Sequence, residues 1–330
     1  MLKLKLQREK FEKSSLIKSS IKWMSSMKKS NKSKKYNFRL PIEIASLFCL
    51  SLFFIFFPVI ETPSSLKKPA VKAAFVSEPA MPVSKNISVP DLTATGIFIT
   101  DLDTGIVLYE KNANTRLKPA SLTKIATALV AMDYFDQDSV LSVINGQNAE
   151  GSSINLKKGD QLIANDVLYG LLVPSGNDAA VTLAENYPGG YQAFVAKMNA
   201  KAVEMGLQNT HFVNVSGVES PDHYTSAYDI AMLAKAALNR PEFASIVSTQ
   251  KITLKSLKGN EYPLESTNIL LGEPGVFGVK TGWTPEAGEC LVILVEKDKH
   301  SVLISLLNSK DRFGEGQSLI NWIFANFSWE

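Results

Sequence analysis

The chain has 330 residues, enough for one large domain or two small ones, and its 45% hydrophobic content is ordinary for a globular core. The formal net charge of +3 is badly mixed: residues 1–41 hold thirteen Lys/Arg against two Glu, so that segment is strongly basic and the remainder is acidic. The overall basic balance is therefore no argument for nucleic-acid binding, and no nucleic-acid partner is expected.

Taken in chain order, the basic, Ser-rich stretch 1–41 comes first and is expected to stay on the cytoplasmic side, against anionic lipid or disordered. Residues 42–60 follow, and from Ile44 to Ile60 they carry no charge. That length is at the short end of a membrane span, and its basic flank orients the rest of the chain outward. A signal peptide is the competing reading; the long basic segment and the lack of an immediate small-x-small site favour an uncleaved anchor. The proline-rich residues 61–90 read as an extended linker, which places the folded domain at 91–330.

Two strand-like runs, Thr95 to Thr100 and Ile106 to Tyr109, flank the turn sequence DLDTG and predict a hairpin. Pro119 marks a helix start, and Leu122, Ile125, Leu129 and Met132 recur at helical spacing behind it. Helical patterns continue through NDVLYGLLV, DAAVTLAENY, YQAFVAKMNAKAVEMG and TSAYDIAMLAKAAL to about Asn239. Gly206 ends one helix, and Ser226 with Asp229 resembles a capping box for another. Strand character returns at Ile252 to Leu254, Val276 to Lys280, Cys290 to Glu296 and Val302 to Leu307, with KDKH as a hairpin connection. A helix from Gly316 to Phe327 closes the chain. The pattern predicts an α+β fold in which one antiparallel sheet, built from both ends of the chain, packs against a central helical cluster. Of the two cysteines, Cys49 lies in the apolar segment, so no internal disulfide is expected and Cys290 reads as a small buried hydrophobe.

Three short motifs stand in fixed order: SLTK at Ser121 to Lys124, SGN at Ser175 to Asn177 and KTG at Lys280 to Gly282. None is convincing alone, because SxxK and SxN recur elsewhere in the chain. Together they describe one site. Ser121 falls in the first turn of its helix, where the positive end of the dipole favours an oxyanion. Lys124 lies one turn on, on the same face, placed to act as base. A basic lysine must be neutral part of the time at neutral pH, which needs burial and a second cation; Lys280 is the candidate for that cation. Ser175 can relay a proton and Asn177 can hold a substrate amide. An exposed strand carrying Lys280, Thr281 and Gly282 can dock a peptide and bind its carboxylate, with Gly282 leaving room for close backbone approach. Asp178 reads as structural. His211, His223 and His300 are too dispersed for a metal set, so neither metal nor cofactor is expected.

These motifs, with PSGNDAAVTLAE, HFVNVSGVESPDHYTSAYDIAMLA and GVKTGWTPEAGECLV, resemble the serine-type D-alanyl-D-alanine carboxypeptidases, the small penicillin-binding proteins, over roughly Asp91 to Trp329. The resemblance implies a β-lactamase/transpeptidase-like fold. It implies hydrolysis of the terminal D-alanyl-D-alanine bond of peptidoglycan stem peptides through an acyl-serine at Ser121, with β-lactams as covalent inhibitors. It also implies that Ser175 passes a proton to the leaving amine, that the backbone N–H groups of Ser121 and Trp283 form the oxyanion hole, and that Arg312 helps recognise the terminal carboxylate. Three rivals stay open: a D,D-endopeptidase on cross-links, a class A-like β-lactamase, and a non-catalytic penicillin- or wall-binding domain. No ExxLN-type segment follows SGN, which speaks against the β-lactamase.

Overall fold

The computed structural model describes residues 79–330. The basic segment 1–41, the apolar segment 42–60 and the linker as far as residue 78 lie outside the described residues. Among the described residues no helix is long and apolar enough to cross a membrane.

The first element already corrects the expected boundary. Strand β1 (Pro82–Ser84), inside the stretch read as linker, pairs antiparallel with the last strand of the chain, residues 327–329. Its proline sits at the first residue of a two-stranded edge, where a missing N–H is tolerated. The expected hairpin follows as β2 (Gly96–Asp101) and β3 (Val107–Lys111). A 3-10 turn (Ala120–Thr123) then leads into α1 (Lys124–Tyr134). Residues 124 to 131 of α1 are all buried, as a helix must be when it is surrounded by other elements.

A small hairpin, β4 (Val140–Ser142) with β5 (Gln161–Ile163), precedes α2 (Ala164–Leu172), α3 (Asn177–Glu185), α4 (Gly190–Glu204), α5 (Ala227–Leu238) and α6 (Pro241–Val247). The predicted cap is present: Ser226 Oγ accepts from the Asp229 N–H at 3.1 Å. Gly206 follows α4 with φ +72, the left-handed geometry that ends a helix. The run at Ile252 to Leu254 belongs to β6 (Lys251–Lys255), but it pairs only with β7 (Glu261–Glu265), as a hairpin outside the main sheet.

The main sheet is completed by β8 (Val276–Thr284), β9 (Gly288–Lys297) and β10 (His300–Ser309), in the order β3-β2-β10-β9-β8. Asp298 and Lys299, at φ +53 and +70, form the tight turn between β9 and β10. The chain ends with α7 (Arg312–Asn326) and β11 (Phe327–Trp329). Helix α7 starts at Arg312 and not at Gly316 as expected. Asp311 caps it, accepting from the Gly314 N–H at 2.9 Å, and the poor helix propensity of Gly314 and Gly316 hid that first turn in the sequence.

Alternation along the strands sets the two layers. Phe98, Val292, Leu294, Leu303 and Leu307 join the core of the helical cluster. Ile97, Ile99, Ile293, Val302 and Ile304 face the other way and pack with Leu319 and Ile323 of α7. Ser305, on the cluster face, donates to the Ala227 carbonyl at 2.6 Å and fixes the start of α5 on the sheet. The α+β architecture expected from the sequence is thus the one observed, with β8 as an edge strand beside the 3-10 turn that carries Ser121.

Candidate active site

The turn carrying Ser121 lies against the edge of β8. A side chain on Gly282 would put a Cβ 3.1 Å from both Ala120 Cβ and the Ser121 nitrogen and 3.2 Å from the Pro119 carbonyl. The glycine of KTG therefore eases the close approach of the Ser121 turn itself, where the sequence suggested room for a substrate backbone. On the far side of the same turn, Gly217 stands at φ +87, with a position for Cβ only 1.7 Å from the Ala120 oxygen. Ala120 is held at φ +47, a conformation costly for a residue with a side chain. The serine is thus clamped between two glycines, one from a strand and one from a loop.

Lys124 is completely buried. Its Nζ lies 2.9 Å from Ser121 Oγ and donates to the Ser216 carbonyl at 3.0 Å. Burial pushes its pKa well below the ordinary 10.5, the Lys280 charge pushes it further, and Asp178 partly opposes both. Lys280, 1% exposed, is itself pushed down to about 7, first by burial and then by the Arg312 cation. Lys280, the cation expected from the sequence to act on Lys124, is thus buried and close enough for its charge to act there. Arg312 extends the chain of charges: its Nη1 donates to the Gly282 carbonyl at 3.0 Å, and its guanidinium lies 4.7 Å from the Phe313 ring centroid. Asp311 caps α7 and so places Arg312 in the first turn, beside the end of β8.

Thr281, 4% exposed, shares a 2.6 Å hydrogen bond with the Thr267 hydroxyl. Ser175 lies between α2 and α3 at φ +67, its buried hydroxyl without a partner among the described residues. Asn177 opens α3; its Nδ2 donates to the Glu150 carbonyl and its Oδ1 has no partner. Unpaired buried polar atoms are costly, and here two of them sit on the SGN motif, poised for groups from a ligand. Ser121, Asn177 and Trp283 line one cleft of about 390 Å³, with Ser216 and Gly217 on the same wall.

Asp178 holds the loop that frames the cleft. Its carboxylate accepts from Ser153 Oγ at 2.7 Å, from the Ile154 N–H at 3.1 Å and from the Leu156 N–H at 3.0 Å. The structural reading of this residue holds. Asp178→Ala is expected to strand these donors and cost about 2–4 kcal/mol, measurable by chemical denaturation. A variant as stable as the parent would show that the loop does not depend on this carboxylate.

His223 supports the nucleophile turn from below. Its Nδ1 accepts from the Val213 N–H at 3.2 Å, which leaves Nε2 to donate to Thr123 Oγ1 at 2.8 Å. Burial lowers its pKa to about 4, so it is a neutral structural strut. His211 contacts the Asp222 carbonyl and His300 stacks on Trp329, far apart in the fold. Cys290 is fully buried and its thiol is pushed up to about 11 by that burial. Four contributors were not found from the sequence: the Ser216 carbonyl, Gly217, Thr267 and Asn214, whose Oδ1 accepts from the Gly217 N–H at 2.7 Å. Only the Asn-x-x-Gly spacing of the last pair left a signal, that of a tight turn.

The family model for D-alanyl-D-alanine carboxypeptidase (peptidase family S11) matches residues 83–311. The D-alanyl-D-alanine carboxypeptidase DacF of Bacillus subtilis is 36% identical over 244 residues, a match that covers 71% of this chain and 63% of the relative. The chain thus spans less than two thirds of that relative's length. The structure of a D-alanyl-D-alanine carboxypeptidase from Mycobacterium tuberculosis superposes with a TM-score of 0.69 at 32% identity, covering 77% of this chain and 99% of that one. The Streptomyces K15 DD-transpeptidase superposes with a TM-score of 0.68 at 32% identity, covering 72% of this chain and all of that one. With Ser121 and Asn177 lining one cleft, Gly282 of KTG against the Ser121 turn, and the match running across most of the folded domain, the chain belongs to the S11 family of D-alanyl-D-alanine carboxypeptidases.

Proposed function

We propose that this chain hydrolyses the terminal D-alanyl-D-alanine bond of peptidoglycan stem peptides through an acyl-serine intermediate. The observation that carries this reading is the pair Lys124–Ser121: a fully buried lysine with a depressed pKa, 2.9 Å from a hydroxyl held at a helix start. Ser121 Oγ attacks the penultimate carbonyl and gives its proton to neutral Lys124. The oxyanion forms against the backbone N–H groups of Ser121 and Trp283. Lys124 passes that proton to Ser175, whose own proton goes to the departing D-alanine amine and completes the cleavage, which leaves Lys124 neutral again, and Asn177 holds the amide upstream. Water then attacks the ester and gives a proton to Lys124, which returns it to Ser121 Oγ as the ester C–O bond breaks, so both residues are restored. Lys280, Thr281 and Arg312 bind the free carboxylate of the substrate, and this requirement favours an exopeptidase over an endopeptidase. β-Lactams present a similar acyl group and carboxylate and acylate the same serine.

The test is labelling of the protein with a fluorescent penicillin, with Ser121→Ala alongside, together with D-alanine release from a pentapeptide. Label on Ser121 and free D-alanine are the expected results. Activity on a cross-linked dimer with none on the monomer would replace this reading with the endopeptidase, and rapid release of hydrolysed penicillin would replace it with the β-lactamase.

The charges give a pH signature. Lys280 falls to about 7 in the free protein, so it binds a carboxylate as a cation below that pH and loses its charge above it. Lys124 must be neutral to act, so its limb rises with pH. The profile of kcat/KM is expected to be bell-shaped, with a falling limb just above neutrality. Lys280→Arg, which stays charged, is expected to remove that falling limb. A profile flat through neutrality in the parent would contradict the assignment of Lys280.

The reading extends to the N-terminal segment. Residues 42–60 act as an uncleaved anchor, with 1–41 on the cytoplasmic side against anionic lipid and the folded domain outside. The uncharged run from Ile44 to Ile60 and its basic flank support this. Full-length protein that washes off membranes in alkaline carbonate would sink it.

A further inference from the structure

The cleft does not stop at the reacting bond. It continues past Trp283 to Thr284 and Pro285. A substrate whose carboxylate lies at Lys280 and Thr281, and whose scissile carbonyl lies at Ser121, sends its upstream residues in this direction. The inference that follows rests on the carboxypeptidase reading.

Two chemistries meet in this part of the cleft. Val218, Trp283 and Pro285 are apolar and line it, with Val218 38% and Trp283 59% exposed. An indole this exposed has no packing role in the core. The charged side chains lining the cleft are Glu150 and Glu219; the nearby cation is Lys118, outside the lining, whose charge also acts on Glu219 and which lies 3.9 Å from Glu286. Glu219 is held in place: it accepts from the Glu286 N–H at 2.7 Å. A hydrogen bond from the Thr284 hydroxyl is the main influence holding its carboxyl below the ordinary range. The point where this region joins the reacting site is Asn177. It is 6% exposed, lines the same cleft, and leaves Oδ1 without a partner where a peptide N–H would complete it.

We propose that this region is a subsite for the third residue of the stem peptide, and that it selects a long aliphatic side chain ending in a free ammonium. The methylenes pack on Trp283 and Val218, as lysine stems do on apolar surface elsewhere. The ammonium meets Glu219, with Glu150 adding to the negative field and the indole face adding attraction for a cation. A side chain that carries a carboxylate beside its amine brings like charge toward the same two glutamates and is disfavoured.

The test measures binding and turnover separately on the full chain. Tripeptides of the form acyl-L-Lys-D-Ala-D-Ala, with the ε-amine free or acetylated, compete with fluorescent penicillin for Ser121. The free-amine peptide is expected to protect at about three- to tenfold lower concentration. That preference is expected to fall toward one in Glu219→Gln, to shrink in Glu150→Gln, and to weaken in high salt. Equal protection by the two peptides in the parent protein overturns the subsite, and so does a preference that survives in both variants. Released D-alanine, measured in the same samples, judges the parent reading: protection with ammonium preference but no release keeps the subsite and removes the carboxypeptidase activity. Failure of penicillin to label Ser121 in folded protein overturns both.

Discussion

Lys124→Met is expected to lower the rate at which penicillin acylates Ser121 by about 10²–10⁴-fold, the usual contribution of a positioned general base. The same substitution is expected to raise the melting temperature by at least about 3 °C. Both effects have one cause. Lys124 has no exposed surface, and burial is the largest influence depressing its pKa. A methionine fills nearly the same volume without a group that water solvates. The protein therefore maintains an unfavourable residue in its core for the sake of the reaction. The sign of the pH dependence follows from linkage. Between the depressed folded pKa and the ordinary 10.5, the unfolded chain binds the proton that the folded chain has lost. The stability of the parent therefore rises with pH across that window, and the advantage of the methionine variant narrows as pH climbs toward 10. Melting curves of the two proteins at several pH values decide the matter. A variant less stable than the parent at neutral pH would mean that the Ser216 carbonyl and its hydrogen bond outweigh desolvation.

Gly217→Ala is expected to be nearly as damaging to activity and far more damaging to the fold. Its Cβ would meet the Ala120 oxygen at 1.7 Å, on a backbone with φ +87. The Ala120 carbonyl is backbone and not a flexible side-chain end, so the loop or the Ser121 turn must move. The strained conformation and the overpacking together are expected to cost about 2–5 kcal/mol. Movement of the turn breaks the alignment of Ser121 with Lys124, and acylation is expected to fall at least about 100-fold. Thermal denaturation and penicillin labelling read the two losses. A Gly217→Ala protein that labels at the parental rate would show that the turn is not held from this side.

Residues 121–124, 175–177 and 280–282 could be proposed as a site from the sequence because acyl transfer needs side chains of fixed types, and side chains are what a sequence displays. The tuning of Lys124 by Lys280 was legible for the same reason. The helices with apolar spacing and the hairpin around DLDTG were equally plain. What escaped is mostly backbone. The Ser216 carbonyl that holds Lys124 could belong to any residue, and Gly217 announces a turn without saying what it packs against. Gly282 was expected to make space for a substrate; the fold spends that space on the Ser121 turn. The first turn of α7 was masked by its glycines, and β1 was masked by a proline-rich neighbourhood whose partner is the far end of the chain.

That last pairing, together with Val302 opposite Asp101 at the centre of the sheet, bears on the order in which the protein comes into being. Nearly every residue of the catalytic motifs is synthesised before β10, yet β10 sits between β2 and β9. The β8–β9 hairpin on which Ser121 leans is joined to β2 and β3 only through β10. Long-range closure of this kind folds slowly. A nascent chain already holding all three motifs is thus expected to stay unreactive toward penicillin until β10 joins the sheet, so the onset of labelling during synthesis or refolding would mark the moment at which the two ends of the domain meet.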